Sequence, residues 1–83
     1  MPELLSKAVG VYLRSKRLAV GYTLELACEG LKLTTACLEK YENGKPVPLC
    51  VLYRLASKYG IPEIELQNFL LAEQEKFRAR NQR

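Results

Sequence analysis

Apolar positions recur along this chain with a helical period almost from end to end. Leu5, Val9, Tyr12 and Leu13 form one stripe, which predicts a first helix over about Glu3–Ala19 with that stripe inward. Leu26, Ala27 and Leu31 fall at helical spacing behind Thr23, a favourable N-cap, and predict a short second helix over about Leu24–Glu29. Leu33, Cys37, Leu38 and Tyr41 mark the buried side of a third, over about Thr35–Glu42, with Thr34 as its N-cap. Gly44 ends that helix in a left-handed cap, and Pro46 and Pro48 keep it from resuming. Leu52, Leu55 and Ala56 face inward from a fourth helix, about Leu49–Tyr59, stopped by Gly60. A fifth begins near Pro62, a residue suited to the first turn, and extends to about Arg80. No strand pattern competes. The expected fold class is therefore all-α: five helices in a compact domain with an extended C-terminal helix.

The third helix has an unusual outer face. Thr35, Ala36, Glu39, Lys40 and Asn43 recur at i, i+1, i+4, i+5 and i+8, so they share one side. Small residues at its N-terminal end let the backbone approach a base edge or phosphate, and the helix dipole there favours an anion. Lysine can donate to guanine O6 and N7, glutamate can accept from cytosine N4, and Ala36 or a threonine methyl can meet the methyl of thymine. Thr35, Ala36, Glu39 and Lys40 are accordingly the candidate base contacts. The alternative for Glu39 and Lys40 is a solvated surface pair.

The chain resembles the Cro/cI-like phage-repressor helix-turn-helix family over roughly Leu13 to Ile64. The parts that carry the resemblance are Arg17, Gly21-Tyr22-Thr23, Leu33-Thr34, Leu38, Tyr41-Glu42-Asn43-Gly44-Lys45, and Leu55-Ala56-Ser57-Lys58-Tyr59-Gly60-Ile61. Spacing from Thr23 through Gly44 fits the family without a gap. Some positions depart from it. Leu24 stands where the family usually carries a glutamine that contacts DNA, and Ala27-Cys28 stand for its Leu-Ala pair. Lys32 stands where the family has its turn glycine, with Gly30 two residues earlier. A lysine held left-handed costs about 1 kcal/mol; otherwise Gly30 ends the second helix in a differently built turn. The resemblance implies a lambda-repressor-like fold and an ion pair of Arg17 with Glu42, against the alternative of two solvated charges. It also implies phosphate contacts from Thr23, Asn43 and Lys45, to which Thr34, Lys32 and Arg14 are added as donors close by.

Charge agrees with a polyanionic partner. The net charge is +4. Residues 1–62 carry nine Lys/Arg against five Glu, whereas residues 63–83 carry four of each, so the excess lies on the helix-turn-helix part. The three cysteines, Cys28, Cys37 and Cys50, sit in apolar helical patterns without a Cys-x-x-Cys, and histidine is absent. They read as reduced core thiols, with a redox sensor at Cys37 as the alternative. No apolar run is long enough for a membrane span, and Met-Pro-Glu-Leu-Leu lacks the basic region that would open a signal peptide. No catalytic constellation, phosphate-cradling loop or cofactor motif stands out. The expectation is a cytoplasmic, bacterial or phage-encoded protein that is not an enzyme and has no cofactor, metal or small-molecule substrate.

At 83 residues the chain buries only about 60–65% of its unfolded surface, so association is a natural source of further burial. Residues 1–62 are read as the helix-turn-helix core and 63–83 as a dimerisation element. Leu66, Leu70, Leu71 and Phe77 are the expected dimer interface, with Phe69 on the same stripe and Ile64 beside it. The alternatives are a solvated tail, or contact of Lys76, Arg78, Arg80 and Arg83 with phosphates. The reading is a sequence-specific transcriptional regulator, most simply a repressor or autoregulator, binding double-stranded DNA as a homodimer. Its recognition helices would lie about 34 Å apart on a palindromic operator. The rival is an interaction module of the same fold that holds a partner protein through the fifth helix and the Leu49–Tyr53 surface.

Overall fold

Five helices follow one another: α1 (Glu3–Ala19), α2 (Leu24–Cys28), α3 (Thr35–Glu42), α4 (Leu49–Lys58) and α5 (Glu63–Asn81). The computed structural model describes residues 3–81, and the side chains of residues 6–76. No strand occurs among the described residues, and the fold is all-α. No described helix is long and apolar enough to cross a membrane.

One core draws on all five helices. Val9 and Leu13 of α1, Ala27 and Cys28 of α2, Leu38 of α3, Leu52, Leu55 and Ala56 of α4 and Leu66 of α5 all contribute to it, with Val47, Tyr59 and Ile61 from the connections. Two features of α1 carry no hydrophobic signal. Ser6 is fully buried. Gly10 lies against the end of α3, where an added Cβ would stand 2.6 Å from the Tyr41 carbonyl oxygen and 2.7 Å from that of Glu42. Glycine inside a helix costs about 0.5–1 kcal/mol against alanine. Here its missing side chain is what lets α1 and α3 touch, backbone on backbone. Tyr12, expected on the inner stripe, is half-buried, and Leu5 lies outside the described side chains.

The caps set the short helices. Thr23 Oγ1 accepts from the Leu26 amide at 3.2 Å, and Thr34 Oγ1 accepts from the Cys37 amide at 3.1 Å. α2 is a single turn and buries its small residues, Ala27 and Cys28, while Leu26 is 46% exposed. The helical spacing of Leu26 with Ala27 does not put Leu26 in the core: a helix this short packs closely through its small side chains. The turn to α3 uses both routes left open by the sequence, with Gly30 at φ 80° and Lys32 at φ 53°. α3 closes with the Lys45 amide donating to the Lys40 carbonyl and the Gly44 amide to that of Tyr41, each at 3.1 Å. Gly44, at φ 108°, supplies the left-handed residue this closure needs.

α5 packs back along α1. The Tyr12 and Phe69 rings stack with centroids 3.9 Å apart, and the Tyr12 hydroxyl donates to Glu65 Oε2 at 3.1 Å. Lys16 Nζ meets the same oxygen at 2.8 Å. These two bonds, Lys16 first, hold the Glu65 carboxyl below its usual range. Leu66 is fully buried in the core, while Phe69 and Leu70 are half-buried against it. Leu66 is therefore no part of a surface offered to a second chain, contrary to the expectation above. It completes the core that residues 1–62 build. Leu71 is exposed, and the Phe77 side chain lies outside the described residues.

Candidate nucleic-acid interface

Arg17 organises the helix-turn-helix. Its Nε donates to Glu42 Oε2 at 2.7 Å and its Nη2 to Glu42 Oε1 at 3.0 Å, a fork-on-fork pair. Its Nη1 donates to the Tyr22 carbonyl at 2.8 Å. One guanidinium thereby ties α1 to the last residue of α3 and to the residue before the cap of α2. Both side chains are nearly enclosed. The bond to Glu42 holds the Arg17 guanidinium above its usual range, outweighing the opposite effect of burial. Below the pair lies Tyr59, whose ring meets that of Tyr22 edge-on at 6.2 Å. Its hydroxyl is buried with no hydrogen-bond partner among the described residues.

With α2 and α3 held in this way, most of the candidate residues stay open to solvent. Ala36, Glu39, Lys40 and Asn43 are exposed and Thr35 is half-buried on the outer face of α3. Thr23, Lys32, Thr34 and Lys45 are exposed at the helix ends and turns beside it. The two cap threonines accept with their hydroxyl oxygens, which leaves each O–H as a donor toward solvent. Leu24 is half-buried and packed on the core, so α2 offers no polar side chain there. Arg14 lines one cleft with Leu24, Glu39 and Asn43. Sequence reasoning missed Lys7, whose stem runs against Gly44; an added Cβ on that glycine would stand 3.0 Å from Lys7 Cγ. No periodicity signals such a neighbour, because it depends on the approach of α1 to α3 at Gly10.

The cysteines are free, and their burial differs from the sequence reading. Cys28 is a core thiol, pushed up by burial. Cys37 is half-buried beside Tyr41, whose hydroxyl it holds above its usual range together with burial. Cys50 is exposed, which corrects its assignment to the core. An apolar run in a first helical turn, Leu49 to Leu52, does not say which residue faces out. Among the described residues no group of three or more His, Cys, Asp or Glu is placed to hold a metal. Comparison with family models, with curated proteins and with solved structures gives no match for this chain.

Proposed function

We propose that the protein is a sequence-specific DNA-binding transcriptional regulator that lays α3 in the major groove and acts as a homodimer on a two-fold operator. The observation that carries this reading is the clamp of Arg17 on Glu42 and on the Tyr22 carbonyl. It fixes the angle of α3 against α1 and α2 while leaving Ala36, Glu39 and Lys40 exposed. A fixed helix with an unengaged polar face is what reading base edges requires. Thr23, Lys32, Thr34, Asn43 and Lys45 would meet phosphates on either side. The activity has no catalytic step, and the protein would work where its DNA is, in the cytoplasm.

A second reading has its own support. Leu24 is packed on the core where a polar contact would serve DNA, and Ile64 and Leu71 stand exposed on α5. An interaction module that holds a partner protein through α5 would use these residues and no specific DNA site. Selection of bound fragments from random duplex DNA separates the two. Enrichment of a palindrome is expected for the regulator; recovery of DNA without any enriched sequence would refute it and favour the module.

A further inference from the structure

We infer that α1 supplies a further part of the DNA site, with Lys7 and Arg14 meeting backbone phosphates beside α3; this rests on the DNA-binding reading above. A groove runs along the outer side of α1, lined by Lys7, Val11, Arg14 and Leu18 and closed by Glu42 and Asn43 at the end of α3. Lys7 lies across the turn at Gly44 and shares the groove with Asn43. Arg14 shares its cleft with Leu24, Glu39 and Asn43, so it brings from α1 the donor that Leu24 does not bring from α2. The groove is therefore continuous with the proposed interface at both cations.

Charge decides what fits there. Both side chains are exposed, and neither forms an ion pair among the described residues, whereas Lys16, Arg17 and Lys76 each have a carboxylate. The charge of Glu42 is already balanced by Arg17, which meets both its oxygens. Two residues seven apart on a helix are separated by about 10 Å, a length of duplex axis that carries about three phosphates of one strand. Each cation can thus meet its own phosphate. Val11 and Leu18, 68% and 56% exposed, lie on the same groove and would face the sugar edges, whose contacts position rather than specify.

The test is a titration of labelled mixed-sequence duplex at several salt concentrations. Wild type is compared with Lys7→Ala/Arg14→Ala, with Lys7→Gln/Arg14→Gln, and with Lys16→Ala as a single-charge control outside the groove lining. The slope of log affinity against log salt should fall by about one for each cation removed, so by about two in either double variant. The control should keep the wild-type slope. Affinity for a selected operator and for mixed duplex should fall by the same factor. The glutamine pair keeps the stems, so it reads the same loss should the alanine pair fail to fold by circular dichroism. Retained DNA binding with an unchanged slope in the double variants overturns this inference and leaves the DNA reading standing. The same unchanged slope, joined to loss of an acidic amphipathic peptide that wild type binds, would assign the groove to a protein segment instead. Absence of any duplex binding by wild type overturns both.

Discussion

Arg17 shows how one residue can fix the placement of three helices. Its three bonds need a planar fork, and a lysine at this position keeps the charge but loses the geometry. Removing one partner of a buried pair costs about 3–5 kcal/mol, largely because the other is left uncompensated. Arg17→Lys should therefore recover only part of that loss in urea unfolding; wild-type stability in this variant would show that the fork carries nothing. Tyr59 is the opposite case, a group whose polar atom has no use in the fold. Its hydroxyl is buried and unpartnered among the described residues, and burial pushes it well above its usual value of 10.0. Tyr59→Phe removes an unsatisfied group of the kind that costs about 1–3 kcal/mol, and should stabilise the protein by about 1 kcal/mol at neutral pH. The pH dependence has a definite sign. The unfolded chain gives up this proton near 10.0 while the folded chain retains it, so stability is full below that pH and is lost above it. Tyr12, pushed up to about 12 by burial and by Glu65, contributes with the same sign. The advantage of Tyr59→Phe over wild type should consequently widen as pH rises past the ordinary phenol range. A constant difference across that range would mean that the phenol is solvated.

At the scale of elements, the helices were legible because each carries its own punctuation. Thr23 and Thr34 cap, Gly44 and Gly60 stop, and the proline pair separates α3 from α4. The Arg17–Glu42 pair was legible only through the family resemblance, since a separation of 25 residues implies no contact by itself. Which face each short element buries was less legible. Leu26 and Cys50 turn outward, and Ser6 and Gly10 turn inward without any apolar signature. The sequence put Leu66 in the interface and not in the core, because one stripe on α5 serves both uses until α1 is placed against it. The turn between α2 and α3 carries a cost that the sequence does announce. Lys32 stands at φ 53°, a conformation that costs a side-chain-bearing residue about 1–2 kcal/mol. Lys32→Gly relieves that strain against a glycine entropy loss of about 0.5–1 kcal/mol. A small gain in thermal stability, under about 1 kcal/mol, is expected, and a clear loss would show that the lysine side chain holds the turn.

For the whole molecule the proposed function requires two copies of α3 to face one duplex. Leu66 is spent on the core, so a two-fold contact through α5 falls to Ile64 and Leu71, 63% and 59% exposed. Lying seven residues apart, they share a face. An isologous pairing of this face would cover both residues and give the operator its symmetry. Ile64→Asp/Leu71→Asp should shift sedimentation from dimer to monomer and weaken operator binding while leaving the helical content intact. A wild-type protein that stays monomeric at roughly tens of micromolar, or a double variant that still dimerises, would move the interface elsewhere. Above this stands the claim that α3 reads sequence through its exposed face. It is tested most directly by repeating the selection from random duplex DNA with Lys40→Ala beside wild type. The variant should return the same palindrome with one position relaxed in each half-site, a loss of about 1–3 kcal/mol of discrimination where the contact is to guanine. An identical palindrome from both proteins, or equal weakening on selected and random duplex, would contradict a base-reading role for this face.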